Sequence, residues 1–108
     1  MDILVSYDIA TMSREGERRL SQVAAICERY GRRVQRSVFE CRLDLASLER
    51  LKGELMDVVD PADDVIDIYR FDRDIDEVRV SLGRPRLRRR GGSWIFGRGP
   101  EPPVILDN

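Results

Sequence analysis

The first part of the chain alternates between short apolar runs and amphipathic stretches, the pattern of strands and helices in a small mixed domain. Residues 2–9 form an apolar run rich in β-branched and aromatic side chains, which predicts a first strand. Ser13 is a favoured residue at a helix N-terminus and Gly31 is a favoured stop, so a helix is predicted from Ser13 to about Tyr30. Its apolar stripe follows helical spacing at Leu20, Val23, Ala24 and Cys27.

The second half of the pattern completes a sheet with two helices. Residues 31–43 are strand-like but long for one strand, so they either bend or split into a hairpin near Gln35–Ser37. Asp44 predicts the start of a second helix reaching about Val59, and residues 64–71 predict a further strand. Because each helix is apolar on one side only, both must share one sheet face, which predicts an α+β, ferredoxin-like βαββαβ sandwich. Pairing of two copies would cover the other face economically, so we expect a homodimer.

The periodicity ends after Phe71, which predicts a core over residues 1–71 and an arginine-rich tail over residues 72–108. Residues 102–106 predict an extra C-terminal strand, which can pack on the sheet of a partner subunit. The net charge of −1 hides a strong asymmetry, because residues 1–77 carry 12 basic and 18 acidic side chains while the remainder carry 7 and 2. Such segregation argues for a local polyanion-binding segment rather than a generally basic protein.

Composition removes several classes of chemistry. The chain has no histidine, which excludes imidazole bases and the nucleophile–histidine pairs of many hydrolases. Cys27 and Cys41 are too few for a zinc site or a disulfide framework, and both fall on apolar faces. Any hydrolysis would therefore depend on carboxylates and a hard cation. No stretch is long and apolar enough to span a membrane and no signal-peptide pattern is present, so we expect a cytoplasmic protein.

Asp8 is the first candidate functional residue, because it places a charged carboxylate at the end of an otherwise apolar strand. It either caps a turn, faces water, or holds something positive. One carboxylate is a poor magnesium site, but a two-fold axis beside Asp8 would supply a second, identical one. Two such carboxylates repel each other unless they are protonated or share a divalent ion.

Arginines are the second group of candidates. Arg14, Arg18 and Arg29 lie opposite the apolar stripe of the first helix, where they form either a solvated face or a set of phosphate contacts. Arg19 falls at the edge of the apolar face. The tail carries five arginines within residues 84–90, followed by glycines and Trp94. This composition is typical of a solvated linker or of an arm that follows a nucleic-acid backbone, and we favour the arm.

Three stretches carry a resemblance to a known family. Residues 7–9 read YDI, the first helix begins around Gly16, Arg19 and Leu20, and residues 31–41 read GRRVQRSVFEC. Together they resemble the CRISPR-associated protein 2 family, and the string Gly-x-Arg-Val-Gln-x-Ser-Val-Phe-Glu is the most specific part. The resemblance covers residues 1–71 well and residues 102–106 more loosely.

The resemblance implies a ferredoxin-like homodimer that holds DNA and bridges copies of the CRISPR integrase during acquisition of new spacers. It also implies a metal-dependent endonuclease acting on single-stranded RNA or duplex DNA, with Asp8 binding Mg²⁺ or Mn²⁺ near the two-fold axis. It makes Arg19 and Arg33 phosphate contacts or buried ion-pair partners, and Ser37, Phe39 and Glu40 structural or dimer-forming. Residues 72–100 depart from the family, so the tail arginines are not implied by the resemblance and are predicted from composition alone. Taken together, the predicted nucleic-acid contacts are Arg14, Arg18, Arg19, Arg33, Arg86, Arg88, Arg89 and Arg90.

Two rivals to the nuclease interpretation stay open. The first is a purely non-catalytic adaptor that binds duplex DNA through its backbone and never cuts it. The second is a ferredoxin-like small-molecule sensor, for which the sequence offers no pocket signature.

Overall fold

The computed structural model describes residues 1–84, and it divides the chain into two units at Val78. The first unit, Met1–Val78, holds every regular element of the described part of the chain. In order these are β1 (Asp2–Asp8), α1 (Arg14–Tyr30), β2 (Gly31–Gln35), β3 (Val38–Arg42), α2 (Leu45–Val58), β4 (Val65–Phe71) and α3 (Ile75–Val78). Among residues 1–84 there is no helix with the length and apolar character needed to cross a membrane.

The helix boundaries follow local capping chemistry. The Ser13 hydroxyl accepts a hydrogen bond from the Gly16 N–H at 3.0 Å, which satisfies one of the free donors of the first turn of α1. The Gly31 N–H closes the same helix on the Cys27 carbonyl. Asp44 caps α2 by accepting from the Ser47 N–H at 2.8 Å. Both predicted helices are therefore confirmed.

The stretch predicted as a bent strand or a hairpin is a hairpin. β2 ends at Gln35, residues 36–37 form the turn, and β3 begins at Val38. The pairing slips between Arg33 and Gln35, where an irregularity interrupts the register. The first strand of this hairpin follows α1 without a loop, and Gly31 is required there because a Cβ would lie 2.2 Å from the Glu40 carbonyl oxygen.

The four strands form one antiparallel sheet in the order β2-β3-β1-β4. Side chains alternate along β1, so that Ile3, Val5 and Tyr7 enter the core while Leu4, Ser6 and Asp8 lie on the other face. The core joins these side chains to Phe39 and Cys41 of the hairpin and to the apolar stripes of α1 and α2. Both helices therefore cover one face of the sheet, which confirms the ferredoxin-like α+β class.

The first unit continues beyond β4 into α3, a short helix that the sequence pattern did not predict. Ile75 is buried, and its N–H donates to the Asp2 carboxylate at 2.8 Å. Arg42 adds ion pairs to Asp2 at 3.5 Å and to Asp74 at 3.2 Å. In the second unit, Val80 and Leu82 are exposed. The predicted strand at residues 102–106 and the arginines at Arg86 and Arg88–Arg90 lie outside the described residues.

Candidate metal and nucleic-acid site at the end of β1

Asp8 is the last residue of β1 and lies on the sheet face opposite the helices. Its carboxylate is exposed, and within residues 1–84 it accepts no hydrogen bond and forms no ion pair. α1 is capped by Ser13 instead, so Asp8 has no capping role there. Of the three roles that the sequence allowed, the structure leaves a water-facing carboxylate that is available to a cation.

The surroundings of Asp8 on this face are mostly apolar and include one further carboxylate. Its cross-strand partner is Val65, and the next pairs along β1 and β4 are Ser6 with Asp67 and Leu4 with Tyr69. Val65 is 54% exposed and Tyr69 is 49% exposed, so apolar surface lies open beside the carboxylate. We call the exposed surface formed by Leu4, Asp8, Val65, Asp67 and Tyr69 the open face.

Asp8 suits a hydrated Mg²⁺ ion better than a fully caged one. The described residues contain no group of three or more histidine, cysteine, aspartate or glutamate side chains able to hold a metal ion. Mg²⁺ commonly uses one or two carboxylates and fills its octahedron with water and phosphate oxygens. An exposed carboxylate with hard oxygen donors fits that mode, with the remaining ligands coming from solvent, substrate or another chain.

A second charged group lies directly behind the end of β1, and sequence reasoning missed it. The side chain of Asp64 is completely buried, and Arg19 donates to it twice, from Nε at 2.8 Å and from Nη2 at 3.2 Å. The backbone N–H groups of Asp60 and Ala10 donate to the same carboxylate at 2.9 Å and 3.0 Å. These donors, with Arg19 the largest influence, lower the pKa of Asp64 from 3.8 to about 2.

The predicted arginines are distributed over different surfaces. Arg14 and Arg18 are exposed on the first turns of α1, and neither forms an ion pair with any of residues 1–84. Because α1 starts just after β1 ends, both lie at the same end of the domain as Asp8. Arg19 is held by Asp64, so the ion-pair alternative describes its position here.

Arg33 is not brought together with Asp8. It pairs with Phe39 across the hairpin, and its guanidinium lies 5.1 Å from the centroid of the buried Phe39 ring. This places Arg33 on the helix-covered face and on an edge strand, with β3 between it and β1. Phe39 itself is a core residue, and the Ser37 carbonyl accepts from the Tyr7 N–H at 3.1 Å, which supports structural roles for both.

The fold and the site define a small ferredoxin-like domain with Asp8 at the end of its first strand and Arg14 and Arg18 on the following helix, none of which has an ion-pair partner among residues 1–84. The family model of CRISPR associated protein Cas2 matches residues 1–78. The chain therefore belongs to the CRISPR-associated protein 2 family.

Individual relatives agree with this assignment. The CRISPR-associated endonuclease Cas2 of Halalkalibacterium halodurans is 47% identical over 71 residues, which are 66% of this chain and 74% of that protein. The CRISPR-associated endoribonuclease Cas2 1 of Chloroflexus aurantiacus is 41% identical over 108 residues, covering 99% of this chain and 96% of the relative. The crystal structure of Streptococcus pyogenes Cas2 at pH 6.5 superposes with a TM-score of 0.70 at 37% identity, covering 77% of this chain and all of that chain. The relatives from Halalkalibacterium halodurans and Chloroflexus aurantiacus are thus both named as nucleases.

Proposed function

We propose that this protein binds nucleic acid as a cytoplasmic homodimer, works with the CRISPR integrase in the acquisition of new spacers, and cleaves phosphodiester bonds in a metal-dependent reaction. The substrate class is single-stranded RNA or duplex DNA. The observation that carries the proposal is the state of Asp8, an exposed carboxylate without a partner among residues 1–84, at the arginine-bearing end of the domain. Such a group has no structural role within the described fold.

The open face supports the homodimer. A sheet that is covered by helices on one side only leaves Val65 and Tyr69 about half exposed, and a second copy would bury them. Pairing through this face would bring two Asp8 carboxylates towards each other. A divalent ion between them would offset their mutual repulsion and complete the ligand set that one chain lacks.

In the cleavage reaction, Asp8 would hold Mg²⁺ or Mn²⁺ against the substrate. The chemistry that such an ion supplies when bound is polarisation of a phosphate and a lowered pKa of a ligated water. Arg14 and Arg18 would bind backbone phosphates and orient the strand across the end of β1, since a guanidinium matches two phosphate oxygens at once. The arginines of residues 84–90 would add further contacts to nucleic-acid phosphates.

The test is cleavage of single-stranded RNA and of duplex DNA by Asp8→Asn, which removes the negative charge at nearly constant shape. We expect the metal-dependent rate to fall at least 100-fold while the circular dichroism spectrum is unchanged. Asp57→Asn is the matched control, because Asp57 is an exposed aspartate on α2. Equal rates for the wild-type protein and Asp8→Asn would refute a catalytic role of Asp8.

The second candidate function is a non-catalytic adaptor, and it is favoured by the small number of potential catalytic groups at the site. The chain has no histidine, and residues 1–84 hold no cluster of three potential metal ligands, so the described site offers neither an imidazole base nor a preformed metal cage. An adaptor should bind duplex DNA with little sequence preference, with an affinity that falls steeply with salt and survives Asp8→Asn.

The adaptor is tested by measuring the affinity for duplex DNA across a salt series. The double variant Arg14→Ala with Arg18→Ala should flatten the logarithmic salt dependence by up to about 0.9 for each phosphate that the protein no longer neutralises. Arg50→Ala is the control, since Arg50 is an exposed arginine on α2. A salt dependence equal in the double variant and in the control would exclude α1 from the DNA interface.

A further inference from the structure

We infer that Asp64 and Arg19 are positioning residues for Asp8. The buried Asp64 carboxylate connects the segment that follows Asp8 to the start of β4, the strand paired with Asp8. This inference rests on the proposed function of Asp8. The role assigned to the ion pair is to hold Asp8 in place, in addition to stabilising the fold.

Asp64 is connected both to the chain that follows Asp8 and to the strand that pairs with Asp8. The Ala10 N–H, two residues after Asp8, donates to Asp64 Oδ1 at 3.0 Å. Asp64 also directly precedes Val65, the residue paired with Asp8 across the sheet. A single side chain therefore fixes the chain leaving Asp8 relative to the strand that supports it.

The Asp64 carboxylate is itself held in place. Four N–H groups converge on its two oxygens: two from Arg19, one from Ala10 and one from Asp60. Because these donors occupy both oxygens and the side chain is fully buried, the carboxylate is held in one orientation. Arg19 is 18% exposed and belongs to α1, so the carboxylate also fixes the helix that bears Arg14 and Arg18.

Ala10 is also restrained by the packing of α1 on its carbonyl group. A Cβ on Gly16 would lie 2.0 Å from the Ala10 carbonyl oxygen, so α1 packs directly on this peptide. Ala10 is thus held through its N–H by Asp64 and through its carbonyl side by the helix. The segment after Asp8 is restrained from two directions, whereas the Asp8 side chain has no hydrogen-bond or ion-pair partner in the described part of the chain.

Restraint at this place matters because a catalytic carboxylate misplaced by about 1 Å can lose on the order of 100-fold in rate. Loss of the ion pair should therefore lower kcat for cleavage at least 10-fold. The KM for nucleic acid should change less than 2-fold, because the packing of Gly16 on the Ala10 peptide still holds α1 and its exposed Arg14 and Arg18 when the ion pair is lost. A role confined to stability predicts no such difference between kcat and KM in protein that stays folded.

The test uses Asp64→Asn, with Arg19→Lys as a second variant that retains a positive charge but not the two-pronged contact. The control is Glu54→Gln, because Glu54 joins Arg29 and the Tyr30 hydroxyl at the far end of α1 and contacts nothing next to Asp8. The first readout is the ¹³C shift of the Asp8 carboxylate, and its change on titration with Mg²⁺, in each variant at a temperature where all are folded. The second readout is kcat and KM.

We expect the Asp8 resonance to move and its apparent Mg²⁺ affinity to fall at least 3-fold in Asp64→Asn and in Arg19→Lys, but not in Glu54→Gln. An Asp8 resonance and affinity equal to those of the wild-type protein in both variants would overturn the inference. If Asp64→Asn does not fold, Arg19→Lys alone decides. Normal cleavage by Asp8→Asn would refute the proposed function, while the ¹³C shift would still report whether the ion pair positions Asp8.

Discussion

The ion pair between Arg19 and Asp64 predicts a pH-dependent loss of stability that can be worked out from the structure. Hydrogen bonds from Arg19, and then from the Asp60 and Ala10 N–H groups, outweigh the opposing effect of burial and lower the pKa of Asp64 from 3.8 to about 2. Each unit by which folding lowers a pKa adds about 1.4 kcal/mol to the free energy of unfolding at neutral pH. Ionised Asp64, with all its donors, therefore contributes on the order of 2 kcal/mol to the free energy of unfolding at pH 6. The sign is fixed, because a group whose pKa falls on folding stabilises the protein above its ordinary pKa and loses this contribution as the pH falls towards 2.

The perturbation is Asp64→Asn, which has no proton to gain in this range. The wild-type protein should be more stable than the variant at pH 6, and the difference should shrink by about 1 kcal/mol by pH 3 and about 2 kcal/mol by pH 2. A pH-independent difference will remain, since the amide nitrogen of asparagine would face N–H donors. Contributions from other carboxylates, such as Asp44, whose pKa is lowered by the Ser47 backbone N–H, cancel in the comparison.

The assay is urea unfolding followed by circular dichroism at a series of pH values, at one protein concentration because dimer formation would contribute to stability. Asp44→Asn serves as the control, since its exposed cap should give a smaller dependence on pH. A difference between wild-type protein and Asp64→Asn that stays constant from pH 6 to pH 3 would refute the assignment of Asp64 as the buried partner of Arg19.

Three further predictions concern the core and the chain around Asp8. Gly16→Ala should destabilise the protein by at least about 1 kcal/mol in thermal unfolding, because the new Cβ meets the Ala10 carbonyl; unchanged stability would contradict this contact. Tyr7→Phe should be neutral or mildly stabilising in the same assay, since the buried Tyr7 hydroxyl has no hydrogen-bond partner within residues 1–84, and a loss above about 1 kcal/mol would reveal one. Burial raises the pKa of both Cys27 and Cys41 to about 12, so neither thiol should react with iodoacetamide at pH 8 until urea unfolds the chain; rapid labelling of native protein would contradict their burial.

Local chemistry made most of the fold predictable. The start of each long helix is decided by one side chain and a backbone N–H three residues away, so Ser13 and Asp44 identify these boundaries without tertiary information. The alternation of β1 likewise assigns Ile3, Val5 and Tyr7 to one face and Asp8 to the other. The hairpin was harder, because its turn at residues 36–37 contains neither glycine nor proline.

The features that escaped prediction depend on contacts between distant residues. α3 has only four residues and is anchored by the burial of Ile75 and by a hydrogen bond to Asp2, which lies 73 positions earlier in the chain. Asp64 appeared in the sequence only as the start of a strand, and its partner Arg19 lies 45 positions away. Two signals pointed to Arg19: its position at the edge of an apolar face, and the resemblance that made it a phosphate contact or a buried ion-pair partner. Its partner could not be chosen among the aspartates that precede β4.

The proposed function depends most directly on Asp8 binding a divalent ion jointly with the Asp8 of a second copy. The most direct measurement is the stoichiometry of Mn²⁺ binding by electron paramagnetic resonance, with the molecular mass in solution determined on the same samples. We predict one tightly bound Mn²⁺ for each pair of wild-type chains and none for Asp8→Asn, which should remain folded. One Mn²⁺ for each chain, or equal binding by Asp8→Asn, would contradict the claim.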